Sequence, residues 1–303
     1  MTDRPPSGDA APPSGDDRPS PDARSYSTAR PSPDALPSPD ARRRKESFDE
    51  VAELYDLYRP PLPGVVAERL VSVLRAGPGV RVLEIACGAG RISVPIVRAG
   101  AELVGVDLGG RLVEIARQRL SEVPDARFRI DVAPFESWDP PAPEAPFDAA
   151  VCAVAFHWLD REVAYPKIAS LLRPGGVLAL LNTHHVRGGT PGLVERSQPI
   201  YIRWGLSDDP FFQPTTAADA PLLYGEIDDL PEFGPLERWR HEEEISFTTE
   251  TYVGLLQTDS VVNGADDTDR AGFLRDMREL LDTEFGGRFT RNYLHEIVWA
   301  SRI

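Results

Sequence analysis

Short apolar runs alternate with amphipathic stretches through the middle of the chain. VRVLEIA (80–86), ELVGVD (102–107), ARFRI (126–130), FDAAVCAVA (147–155) and VLALLN (177–182) are near-continuous apolar runs of strand length, and they predict buried strands. Between them, RISVPIVRAG (91–100), GRLVEIARQRL (110–120) and REVAYPKIASLL (161–172) read as helices. Pro95 fits the first of these only near its first turn, because an interior proline removes a backbone donor. Arg173-Pro174-Gly175-Gly176 predicts a turn. Strands alternating with helices in this way predict a parallel sheet covered on both faces.

The flanks read differently. Phe48, Val51, Leu54, Tyr55 and Tyr58 share one helical face, with Ser47 as a candidate N-cap, and Arg59-Pro60-Pro61 ends that helix. A second helix over about 64–76 stops at Gly77-Pro78-Gly79. After about 205, TETYVGLLQT (249–258) and AGFLRDMRELLDTEF (271–285) predict helices, while LERWRHEEEISFTT (236–249) and TRNYLHEIVWA (290–300) alternate like strands. The expected fold class is α/β: a doubly wound, mostly parallel sheet with an antiparallel C-terminal strand and a helical cap insertion. The expected division is a disordered Pro-rich tail (1–45), a ligand-binding core (46–204), a cap insertion carrying one core strand (205–289) and a final core strand (290–303).

Composition limits the partners. The chain has 303 residues, enough for one large domain with a cap. Ten of its 30 prolines lie in residues 1–45, where PSPDAR occurs at 19–24 and again at 37–42, so a solvated extension is expected there. No apolar run approaches the length of a membrane span, and MTDRPPSGDA lacks the apolar stretch of a secretory signal. Two cysteines, Cys87 and Cys152, exclude a disulfide scaffold, and no His or carboxylate cluster has metal-ligand spacing, so no metal is expected. A cytoplasmic protein with no membrane partner follows. The formal charge is −15, and the tail itself is slightly positive, so the globule is acidic and nucleic acid is disfavoured. A small-molecule substrate remains, and the oligomeric state stays open, a homodimer included.

The informative segment is VLEIACGAGR (82–91) followed by VGVD (104–107). A strand carrying Glu84 runs into a tight loop with Gly88 and Gly90, which opens a helix; a second strand ends in Asp107. Glycine lets backbone approach a ligand closely, and an acid at the second strand end can accept hydrogen bonds from two ribose hydroxyls. A dinucleotide usually brings a third glycine, and here that position is Ser93. A carboxylate at Glu84 would oppose two phosphates but favour the sulfonium and ammonium of S-adenosylmethionine. Adenosylmethionine is the preferred cofactor and a nicotinamide dinucleotide the rival.

These residues, with AFHWLD (155–160) and LRPGGVLALLN (172–182), resemble the class I S-adenosylmethionine-dependent methyltransferases, and most closely the small-molecule branch that includes trans-aconitate methyltransferase-like proteins. The resemblance implies a Rossmann-like core, with the loop of Ala86, Cys87, Gly88 and Gly90 along the cofactor. It implies that Glu84 orders the methionine ammonium and Asp107 holds the ribose with Leu108 beside it. It places residues 133–137 near adenine, with Glu136 the candidate contact, and it brings Arg59 within reach of the methionine carboxylate, although ordinary helix packing also explains Arg59. Ala86 stands where the family often has glycine, and Arg91 where it has Thr or Ser. The branch is common in natural-product metabolism. Some relatives hold the cofactor and catalyse cyclisation, decarboxylation or hydroxylation instead.

His157 and His184 fall at strand ends where open α/β sheets bind ligands, and they are the catalytic candidates, as contacts or as a base taking a proton during methyl transfer. Packing against the loop is the competing role of His157, and a solvated loop that of His184 and His185. Trp158 reads either as a wall of the site or as core.

Overall fold

The computed structural model describes residues 49–141 and 145–303. The expected tail, Ser47 and Phe48 lie outside the described residues. One mixed sheet dominates. Its strands are β1 (Arg81–Ile85), β2 (Glu102–Asp107), β3 (Arg127–Val132), β4 (Phe147–Ala153), β5 (Leu172–Val186), β6 (Glu237–Thr248) and β7 (Arg288–Ser301), in the order β3-β2-β1-β4-β5-β7-β6. The first five pair in parallel; β7 runs antiparallel to β5, and β6 antiparallel to β7. This is the Rossmann-like arrangement expected from the sequence. The strand order reverses direction between β1 and β4, which opens a crevice at their carboxyl ends.

The apolar runs explain the burial. β1 and β4 are buried on both faces, as strands covered by helices must be. On one face α2 (Gly64–Val73), α3 (Ser93–Arg98) and α4 (Gly110–Ser121) pack Leu70, Ile96 and Val113 against Val82, Leu103 and Val151. On the other, α5 (Arg161–Leu171) brings Tyr165 and Ile168 against Phe147, Phe156 and Leu180. Truncating a fully buried phenylalanine such as Phe147 or Phe156 costs about 3–5 kcal/mol. Pro95 sits in the first turn of α3, where its missing N–H has no partner to lose.

Two elements depart from expectation. Arg173–Gly176 belongs to a 15-residue β5 instead of a separate turn, and the register with β4 shifts between Phe147 and Ala149 to accommodate it. A helix, α6 (Leu193–Arg203), forms where the sequence suggested none, with Pro199 inside it.

A further cluster closes over the ends of β6 and β7. There α6, α7 (Thr249–Leu256) and α9 (Asp267–Phe285) bury Ile200, Tyr252, Phe273 and Leu281 against Phe247 and Phe289, with the short α8 (Ser260–Asn263) between α7 and α9. The N-terminal helix α1 (Ala52–Tyr58) packs on α7. Gly254 makes that contact: a Cβ there would lie 2.4 Å from the ring of Tyr58. Among the described residues no helix is long and apolar enough to cross a membrane.

Candidate functional site

A half-open cleft lies at the carboxyl ends of β1 to β4, about 910 Å³ with the solvent at its mouth included. Each strand contributes its terminal loop: Ala86 and Gly88 after β1, Asp107 to Gly109 at β2, Ala133 to Glu136 after β3, and Val154, Ala155 and Trp158 after β4. Tyr55 of α1 closes one wall. Such a crevice is where open α/β sheets hold ligands.

Asp107 organises the mouth. One carboxylate oxygen accepts from Gly88 N at 2.8 Å and the other from Gly109 N at 2.8 Å. Burial raises its pKa, and those two hydrogen bonds act against the rise. The side chain thus ties the loop after β1 to the start of α4 while facing the cleft. Gly88 has φ +52°, and a Cβ built on it meets nothing within 4 Å, so the space beside it is open. Gly90 has φ +75°, and a Cβ there would lie 3.0 Å from the Ala116 Cβ, so glycine allows the loop to sit on α4.

Ala86 carries the strain that its non-glycine identity implies, with φ +55°. Val154 on the cleft wall is similarly held at φ +53°, a conformation costly for a β-branched residue.

Glu84 lies behind the loop, 1% exposed, and accepts from Ser93 Oγ at 2.5 Å. Burial pushes its carboxyl up to about 8; the Ser93 hydrogen bond works against this and the Asp107 charge adds to it. Cys87 is also buried behind the loop, its sulfur against Gly105, and burial raises its thiol pKa. Neither Glu84, Cys87 nor Gly90 lines the cleft; Ala86, Gly88, Asp107, Leu108 and Glu136 do. Glu136 also accepts from Asp160 N at 3.3 Å.

The two candidate histidines diverge. His157 lies in the 3-10 turn Phe156–Trp158, exposed at one edge and tilted against Trp158 with ring centroids 4.9 Å apart; crowding of the ring by the surrounding protein, and then the Arg161 charge, lowers its pKa. Trp158, not His157, is on the cleft wall. His184 turns to the other side of β5, where its Nε2 is 3.6 Å from Glu296, a fully buried carboxylate that also accepts from Arg240 Nε at 2.7 Å. The adjacent His185 faces the cap instead, its ring 4.8 Å from that of Tyr293.

Sequence reasoning missed the network that holds α1 over the loop. Arg91 donates to the Arg59 carbonyl at 2.6 Å and the Pro60 carbonyl at 2.9 Å, and also to the Asp56 carbonyl. Arg119 reaches the Asp56 carboxylate at 2.5 Å and donates to the Ala89 carbonyl. The departure at Arg91 was the available signal: a cation there caps the carboxyl end of α1. Asp49 performs the reverse service for α4, accepting from Arg111 N at 2.7 Å and Leu112 N at 3.1 Å. Arg59 itself stacks on Tyr55, 5.1 Å from its centroid, and donates to the Thr258 carbonyl at 2.8 Å.

Comparison with known proteins agrees with this geometry. Residues 82–176 match the methyltransferase domain family. An uncharacterized methyltransferase of Mycobacterium bovis is 28% identical over 144 residues, 47% of this chain and 55% of that protein. A ubiquinone biosynthesis O-methyltransferase of Xanthomonas campestris is 36% identical over 107 residues, covering 34% of this chain and 43% of its own. The chain thus spans about half the length of the curated relatives it matches. A solved structure of a candidate type II methyltransferase from Anaeromyxobacter dehalogenans superposes with a TM-score of 0.56 at 24% identity, over 81% of this chain and 98% of that one, and shows the same fold. Residues 82–176 are thus similar to a methyltransferase domain, and the whole sheet has the fold of a solved methyltransferase structure.

Proposed function

We propose that this protein transfers the methyl group of S-adenosylmethionine to an O, N or C nucleophile of a small molecule. The observation that carries the reading is Asp107 at the mouth of a cleft beside the open face of Gly88, with a second acid, Glu84, behind the loop. Asp107 beside a loop with no third glycine disfavours a pyrophosphate, and Glu84, protonated near neutral pH, can ionise against a cationic group placed near the loop, so the pair suits a cationic nucleoside.

The residues fit the cofactor. Asp107 retains lone pairs beyond its two amide bonds for ribose hydroxyls. Leu108 and Glu136 flank the adenine end of the cleft. Glu84 balances the ammonium from behind the loop, and Cys87 and Gly90 shape that loop from its buried side. The bound sulfonium supplies an already activated methyl group. The chain's own task is therefore to align the acceptor, exclude water and take up a proton where one is released. Trp158 and Tyr55 narrow the cleft for the first two tasks. His157, beside Trp158, is the proton acceptor proposed for the third. His184 is assigned to holding Glu296.

The small-molecule, trans-aconitate methyltransferase-like branch and a natural-product setting belong to this proposal and rest on the sequence resemblance. A cytoplasmic location is supported by two buried free thiols. The deciding experiment is calorimetry with S-adenosylhomocysteine and with NADH, followed by a search for S-adenosylhomocysteine formation on incubation with candidate acceptors. Binding of NADH in place of S-adenosylhomocysteine would overturn the reading.

A further inference from the structure

Next to Tyr55, through the guanidinium of Arg59, lies a cluster with a different chemistry. Arg59 stacks on Tyr55, which itself lines the cofactor cleft. Past Arg59, on the cap side of β5 and β7, lie His185, Tyr293 and Arg291. His185 and Tyr293 are register partners with their rings in contact. Arg291 lies over the ring of Tyr252, 5.6 Å from its centroid, and donates to the Tyr252 hydroxyl.

The charge balance of this cluster is one-sided. Among the described residues, neither Arg59 nor Arg291 makes an ion pair with a carboxylate, although the chain as a whole carries −15. Other part-buried arginines do: Arg91 and Arg119 share Asp56, and Arg240 meets Glu296. Buried guanidinium without an anionic partner is costly. Two further polar atoms here are buried without a hydrogen-bond partner, Arg59 Nε and the hydroxyl of Tyr293, a residue only 5% exposed. His185 is accessible at its surface yet enclosed enough that burial pushes its pKa down to about 3, with the Arg291 and Arg59 charges adding to the fall. Both guanidinium charges therefore bear on one imidazole, which stays neutral at ordinary pH.

We propose that Arg291 and Arg59, with the Tyr293 hydroxyl and His185, form the subsite that binds an oxyanion group, carboxylate or phosphate, of the methyl acceptor. The acceptor is then a small organic anion whose charged end is seated under the cap while its nucleophile reaches toward the cofactor cleft. A bidentate oxyanion supplies the acceptors that Arg59 Nε and Tyr293 Oη lack, and neutralises the two cations. This assignment rests on the methyltransferase reading of the adjoining cleft.

The test is thermal unfolding and calorimetry of the full chain saturated with S-adenosylhomocysteine. The probes are butyrate, citrate, benzoate and phenyl phosphate, with butylamine and benzamide as cationic and neutral controls. At least one anion is expected to bind and raise Tm, and the controls are not. Carboxylates acting without phenyl phosphate, or the reverse, identify which oxyanion the site takes. Arg291→Gln should weaken the effective anion at least tenfold and Arg291→Lys should restore part of it, while S-adenosylhomocysteine affinity stays within about twofold in both. The two readings fail separately: absence of S-adenosylhomocysteine binding in the wild type removes the cofactor assignment. Normal binding with no anion selectivity removes the subsite. So does loss of S-adenosylhomocysteine affinity in folded Arg291→Gln and Arg291→Lys, since the cations would then serve the cofactor's own carboxylate.

Discussion

Glu84 and Ser93 share a short hydrogen bond, 2.5 Å, beneath the loop that rims the cleft, and among the described residues Ser93 is the one side-chain donor to this buried carboxyl. Burial pushes that carboxyl up to about 8 from its ordinary 4.5. Because the folded pKa is raised, the folded state holds a proton between pH 4.5 and 8 that the unfolded state releases, and Glu84 destabilises the fold progressively as pH rises through that window. The penalty above pH 8 is on the order of 4–5 kcal/mol. Glu84→Gln is expected to raise the stability of the cofactor-free protein at pH 8.5 by up to several kcal/mol and to leave it nearly unchanged at pH 4.5. Urea unfolding at the two pH values checks this; an equal effect at both would contradict it.

The same group couples binding to protons. An ammonium near Glu84 favours its ionised form, so S-adenosylhomocysteine should bind with release of up to one proton near pH 7, and its affinity should rise between pH 6 and 8. Calorimetry in buffers of different ionisation enthalpy measures the proton count, and Glu84→Gln should bring it close to zero.

Asp107→Ala removes the acceptor for two backbone amides as well as the proposed acceptor for a ribose. Loss of cofactor affinity by at least 100-fold is expected, and Gly88→Val should match it, because the valine side chain projects into the open cleft and φ +52° strains it. Wild-type affinity in either variant would displace the cofactor from this cleft.

Ala86→Gly should stabilise the chain by about 0.5–1 kcal/mol, since glycine adopts φ +55° without a Cβ penalty that exceeds its entropic cost. A rise in Tm with unchanged cofactor affinity is the expected result.

The two candidate histidines separate by their readouts. His184→Ala leaves Glu296 with one fewer neighbour in a buried network and should cost about 1–2 kcal/mol of stability without changing the pH profile of kcat. His157→Ala should leave Tm nearly unchanged and lower kcat; a shift in Tm with normal kcat would make it a packing residue.

Much of the core was readable because its strands are continuous apolar runs: Leu83 and Ile85, or Ala149 to Cys152, have no alternative to burial. The loop was readable because Gly88, Gly90 and Asp107 each answer a local backbone or ligand demand. What periodicity could not reach was register and distance. His184 and His185 are neighbours in sequence, and only the pairing with Leu294 and Tyr293 decides which of them faces the cap. Arg119 and Asp56 lie 63 positions apart, and no spacing rule joins them. Helix α6 was hidden by Pro199 and by the polar stretch Glu195 to Gln198, and it forms because Leu193 and Ile200 find the cap's apolar interior.

The placement of Tyr58 against Gly254 ties the cleft wall and the cap to one short helix. Tyr55, a single turn earlier on the same short helix, walls the cleft, while Tyr58 rides on the cap. With both rings on one short helix, Tyr55 cannot shift along the cleft wall without Tyr58 pressing on the Gly254 face of the cap.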